Sequence, residues 1–150
     1  RADQEFDHKA WLTELAQLRL TDSGDPDTST TDALTHASAR ALTELGVKTI
    51  LCVSGSGFTV RSMARFRPEA RILGLSSNER TVRQLALSWG TEPLRLIEDG
   101  DIEQRVSAAL NLARDQGYVG VGELVAVLAG TDVRSRSTNV LRIETVAGAE

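Results

Sequence analysis

An α/β domain built on a three-layer, doubly wound, mostly parallel five-stranded sheet is the fold this sequence predicts. Three observations lead there. Short apolar, β-branched runs recur along the chain, and segments with helical spacing alternate with them. Gly-rich or Pro-containing stretches separate the two kinds of segment. The last two apolar runs, "ELVAVLAG" and "NVLRIETV", are joined by about nine residues with no helix between them. That is too short for a parallel crossover, so the fifth strand is expected to be antiparallel to its neighbour.

Each element follows in order. "FDHKAWLTELAQLRL" places Phe6, Trp11, Leu15 and Leu18 at helical spacing, with Asp7 as its N-cap. "TDSGDPDTSTTD" then breaks all periodicity and reads as a solvated linker, with residues 21–30 separating a leading helix (1–20) from the main body (31–150). "TDALTHASARALTEL" spaces Ala33, Leu34, Ala37, Ala41, Leu42 and Leu45 as a helix, which Gly46 stops. The first strand spans Thr49–Val53, and a helix over about Thr59–Phe66 is closed by Pro68. "RILGLS" is the second strand. Ser77 is expected to cap a helix that ends at Gly90, and "PLRLI" is the third strand. "DIEQRVSAALNLARDQG" is an amphipathic helix ending at Gly117, before the fourth and fifth strands. The fifth alternates enough to sit at a sheet edge.

Composition narrows the function. The chain has 150 residues, 41% of them hydrophobic and 25% charged, as expected for one globular domain with a real core. A net charge of −4 and an aromatic content of 4% argue against a nucleic-acid partner, which needs a basic face and stacking platforms. The single cysteine, Cys52, lies inside the first strand and reads as a small core residue rather than a reactive thiol; its solitude points to the cytoplasm. No apolar stretch is long enough for a membrane helix, so no membrane partner is expected. The start at Arg1 rather than Met is read as that of a piece of something longer.

Chemistry concentrates in two loops at the carboxyl ends of the strands, where open α/β sheets bind ligands. Ser54-Gly55-Ser56-Gly57-Phe58-Thr59 joins a strand to a helix. Glycines let successive N–H groups converge, the helix offers its positive end, and three hydroxyls stand ready to donate. Two readings stay open on these residues alone, a tight turn and an anion site. Val60 stands where a dinucleotide fingerprint has its third glycine, and no Gly-Lys-Ser/Thr follows for a P-loop. The second loop, residues 130–139, carries Arg134, Arg136, Ser137, Thr138 and Asn139, two guanidinium forks with polar company. Elsewhere, His8 and His36 are far apart, no Cys/His cluster has metal spacing, and Glu98, Asp99 and Asp101 suit an acid-lined helix start. No nucleophile, base and orienting group assemble, so the domain by itself has no expected catalytic residues.

Four stretches carry a family resemblance: "CVSGSGFT", "ARFRPEARILGLSSNERTVRQLALSWGTEPL", "ARDQGYVGVGELVAVLAG" and "STNVLRI". Together they resemble the C-terminal, regulatory α/β domain of pyruvate kinase from about Thr31 to Val146. The resemblance implies a five-stranded sheet with its last strand antiparallel, and an allosteric site for a phosphorylated metabolite, a sugar phosphate or AMP. Ser54, Gly55, Ser56, Gly57 and Thr59 would hold the phosphate, and the loop of Arg134, Arg136 and Ser137 would close over the effector. It also implies packing in a homotetramer and a connecting helix in "EFDHKAWLTELAQL" that leads from the parent's own catalytic barrel. That barrel transfers phosphoryl from phosphoenolpyruvate to ADP with Mg²⁺ and K⁺; the domain itself needs no cofactor. Two departures stand out. Phe58 occupies the position where the family loop usually has Arg or Lys, and Arg134-Ser135-Arg136 replaces a Gly-rich or Pro-Gly stretch.

Overall fold

The computed structural model describes residues 7–11, 14, 26–98, 100–130 and 138–148. Its elements are α1 (Pro26–Leu45), β1 (Thr49–Val53), α2 (Phe58–Ala64), β2 (Arg71–Ser76), α3 (Glu79–Leu85), β3 (Thr91–Arg95), α4 (Ile102–Asp115), β4 (Leu124–Ala129) and β5 (Val140–Thr145). The strands form one sheet in the order β3-β2-β1-β4-β5. β1 pairs in parallel with β2 and β4, β2 pairs in parallel with β3, and β4 pairs antiparallel with β5. The expected sheet, including the reversed last strand at an edge, is the one observed.

Alternation along the strands builds two cores. Ile50 and Cys52 of β1 face α1, α2 and α3, where they meet Leu42, Val60, Met63 and Leu85. Leu51 and Val53 face the other way, onto Val106, Ala109 and Ala113 of α4. β1 is buried along its whole length because parallel neighbours flank it and helices cover both faces. Each fully buried leucine or isoleucine here contributes about 1.5–3 kcal/mol relative to exposure. Gly74, in the middle of β2, lets α2 and α3 come close, since a Cβ there would lie 3.0 Å from both Val60 Cγ1 and Leu85 Cδ1.

Three boundaries differ from expectation, each for a local reason. α1 starts at Pro26, so residues 26–30 of the expected linker are helical. Proline suits a first helical position, where an N–H has no intrahelical partner. α3 is capped by Asn78 rather than Ser77; the Asn78 carboxamide accepts from the N–H groups of Arg80 (2.9 Å) and Thr81 (3.2 Å). It ends at Leu85 instead of reaching Gly90, because the N–H groups of Leu87 and Ser88 bind the carbonyls of Gln84 and Leu85 in tight three-residue turns. β3 consequently begins at Thr91 and includes Pro93, which an edge strand tolerates.

The leading segment docks on the body. Asp7 Oδ1 accepts from the Ala10 N–H at 3.0 Å, as expected of an N-cap. The Trp11 indole N–H donates to the Arg65 carbonyl at 2.7 Å, and His8 Nδ1 donates to the Arg67 carbonyl. The Arg67 guanidinium lies 5.5 Å from the Trp11 ring and 5.7 Å from Trp89, within cation–π range of both. No described helix is long and apolar enough to cross a membrane.

Candidate functional site

The Ser54–Thr59 loop leaves the carboxyl end of the central strand β1 and enters α2. Ser54 N–H donates to the Leu75 carbonyl at 2.9 Å, which carries the β1–β2 ladder one bond beyond the strand. The chain then turns on itself. Gly57 N–H donates to Ser54 Oγ (3.0 Å) and Phe58 N–H to Ser56 Oγ (3.3 Å), so two early N–H groups of α2 are held by hydroxyls. Gly57 itself sits at φ +82°, and a Cβ there would meet Arg61 Nη1 at 2.8 Å, Thr81 Cγ2 at 3.1 Å and Leu85 Cδ2 at 3.2 Å. Both the backbone conformation and the space demand glycine at this position.

The loop's carbonyls are engaged from outside it. Gly55 O accepts from the hydroxyls of Ser76 (3.1 Å) and Thr81 (3.0 Å), Ser56 O from Arg61 Nη1 (3.2 Å), and Gly57 O from the Arg61 N–H (3.0 Å). Ser54 and Ser56 each accept one N–H and keep their own hydroxyl proton. The N–H groups of Gly55 and Ser56 have no partner among the described residues. What the described residues of the loop leave open includes the Gly55 and Ser56 N–H groups and the two serine hydroxyl protons, donors that suit an anion.

Thr59 faces differently from the two serines. It is buried, and its hydroxyl contacts that of Thr138, on the chain entering β5. Thr138 is also buried, and its N–H donates to Thr31 Oγ1 at 3.1 Å, in α1. The late loop thus returns to the sheet against the very helix that the first loop begins. At its other end the buried Arg105 donates Nη2 to the Gly130 carbonyl (2.7 Å) and Nε to the Gly100 carbonyl (3.2 Å). Arg134, Arg136 and Ser137 lie outside the described residues, as does Asp99.

Other sequence candidates resolve simply. Cys52 is fully buried in the core facing α1–α3, and burial pushes its thiol far up, so it stays protonated and unreactive. His36 packs against Phe66 with ring centroids 5.8 Å apart. Asp101 caps α4 in a reciprocal capping box with Gln104, and Glu98 Oε1 accepts from Gly100 N–H at 2.9 Å. Among the described residues no three His, Cys, Asp or Glu side chains group as metal ligands would.

A model of the pyruvate kinase alpha/beta domain family matches residues 32–144, most of the chain. The chain belongs to that family. Pyruvate kinase of Lactobacillus delbrueckii subsp. bulgaricus is 32% identical over 117 residues, covering 77% of this chain and 20% of the relative. Pyruvate kinase of Clostridium acetobutylicum is 28% identical over 146 residues (97% of this chain, 29% of the relative), and that of Geobacillus stearothermophilus 28% over 148 residues (98% and 24%). This pyruvate kinase alpha/beta domain therefore spans less than a third of the length of these curated relatives.

Sequence reasoning picked out the Ser54–Thr59 loop and missed the residues that brace it. Ser76 and Thr81, which brace Gly55 from β2 and α3, and Asn78, whose N–H donates to Ser76 Oγ, become visible only once β2 is known to neighbour β1. Arg61 lies one helical turn beyond Gly57, a spacing that was readable. Thr31 and Thr138 meet across 107 positions, and nothing local in the sequence marks that meeting.

Proposed function

We propose that this pyruvate kinase domain is a regulatory module that binds the phosphate of a phosphorylated metabolite, a sugar phosphate or AMP, at Ser54, Gly55, Ser56, Gly57 and Thr59. The observation that carries this is the set of donors the loop leaves open: its carbonyls at Gly55, Ser56 and Gly57 are engaged, while the Ser54 and Ser56 hydroxyl protons and the Gly55 and Ser56 N–H groups remain. Arg134, Arg136 and Ser137 are proposed as further effector contacts on the strength of their sequence position between β4 and β5. In the longer parent protein, the proposed reaction is phosphoryl transfer from phosphoenolpyruvate to ADP, served by Mg²⁺ and K⁺ in a separate barrel domain. Assembly into a homotetramer in the cytoplasm is part of the same proposal.

Calorimetric titration with hexose phosphates, pentose phosphates and AMP tests it. One of these is expected to bind saturably, with Thr59→Ala and Arg136→Ala each weakening binding by roughly tenfold, as for lost hydrogen bonds to a charged group. A flat titration across all three classes would sink the ligand assignment. A second reading, an interaction module that keeps the fold without the ligand, is favoured by one feature: β5 is a partly exposed edge strand with one row of backbone groups unpaired by the sheet. Light scattering separates the two readings, because the module would assemble with no response to any phosphate compound.

A further inference from the structure

Arg67, in the turn between α2 and β2, is the one non-glycine among the described residues with a positive φ, +45°. Pro68 follows it, and a residue before proline favours extended backbone. The left-handed conformation is costly for a long side chain in any case, and such strain persists only where the surroundings hold it. The leading segment reaches this residue twice. His8 Nδ1 donates to the Arg67 carbonyl, and the Trp11 ring lies 5.5 Å from the Arg67 guanidinium. Trp89, in the turn before β3, meets the same guanidinium at 5.7 Å and stands 6.2 Å from the His8 ring. The Trp11 indole N–H adds a bond of 2.7 Å to the Arg65 carbonyl. His8 and Trp11 are three residues apart, so one turn of helix presents both to the body.

This attachment lies outside both cores. Neither His8 nor Trp11 belongs to the clusters that pack the two faces of the sheet. Arg67 is exposed, and His8, Trp11 and Trp89 are half-buried. A segment held by exposed hydrogen bonds and a cation–π contact, without core burial, opens at a lower free energy than the sheet unfolds. We propose that residues 7–11 form a releasable strap, clasped to the body by Arg67 between Trp11 and Trp89, which opens by itself while the sheet stays folded. The strain at Arg67 favours opening, because release frees its carbonyl and leaves its guanidinium with one ring instead of two. Trp89 also lines the cavity of about 790 Å³ at the amino ends of the strands, beside Pro68 and Gly90. The strap therefore sets how firmly one wall of that cavity is held.

The test is native-state hydrogen exchange of the full chain, followed by NMR at rising urea below the unfolding transition. The Trp11 indole proton is expected to be at least about tenfold less protected than the amides of Leu51 and Cys52 in β1, as for a local opening. Its exchange should depend little on urea, since opening the strap exposes little surface. Equal protection and equal urea dependence of the indole and β1 would mean that the strap leaves only when the body unfolds, and would overturn the proposal. Arg67→Gly removes the cation and is expected to lower the indole protection roughly fivefold to tenfold, as for lost contacts with two rings. Arg67→Lys keeps a cation and is expected to stay within about threefold of the parent chain. Unchanged indole protection in Arg67→Gly, or a loss in Arg67→Lys as large as that in Arg67→Gly, overturns the clasp.

Discussion

The two edges of the sheet are built from opposite materials. At the carboxyl edge the side chains are short and hydroxylic: Ser54, Ser56, Thr59, Ser76, Thr81 and Thr138 meet within a few bonds of one another. At the amino edge they are long, aromatic and charged. Arg67 reaches both Trp11 and Trp89, Arg71 lies 5.5 Å from the Tyr118 ring, and a cavity of about 790 Å³ opens among Lys48, Arg71, Trp89, Glu92 and Tyr118. Long side chains with many rotamers leave volume, whereas short hydroxyls locked to backbone groups leave aligned donors, and recognition of a small anion depends on alignment more than on room.

The sharpest way to break this contrast is Gly57→Val. It forces a β-branched residue to φ +82° and into contact with Thr81 and Leu85, so a loss of about 1–3 kcal/mol is expected in urea unfolding, together with loss of anion binding. A variant as stable as the parent would mean the loop is not rigid. At the amino edge, Trp11→Phe removes the indole N–H that reaches Arg65 and should cost about 0.5–1.5 kcal/mol in the same assay. Phosphate affinity should not move; if it does, the edges are coupled through α2, whose N-cap is Gly57 and C-cap Arg65. The smallest effect belongs to neither edge. Arg142 hydrogen-bonds Glu103 and holds its carboxylate below the usual range, but the pair is solvent-exposed. Because the folded-state value is depressed, its contribution is present above about pH 4 and lost as pH falls through the folded value. Glu103→Gln should therefore produce a barely resolvable drop in melting temperature at pH 7 and none at pH 2.

Legibility followed sequence distance. The sheet was readable because each strand is a local apolar run, and the reversed β5 because a loop of that length admits no parallel return. The capping of α3 slipped by one residue, from Ser77 to Asn78, since both are good caps and the choice depends on where β2 ends against β1. The early start of α1 was hidden because Asp, Thr and Ser favour loops in isolation, while Pro26 is suited to a first helical position.

Composition, periodicity and the Gly-x-Gly turn by themselves determined the α/β class, the strand order of reading and the place where donors would gather. They did so because backbone geometry and burial act over a few residues. Tertiary structure alone decided how those donors are aimed. Ser76 and Thr81 engage the Gly55 carbonyl, and Thr138, whose N–H donates to Thr31 Oγ1, lies against the Thr59 hydroxyl. A hydroxyl's direction is set by whichever acceptor or donor folding places beside it, and a string of residues holds no record of that neighbour.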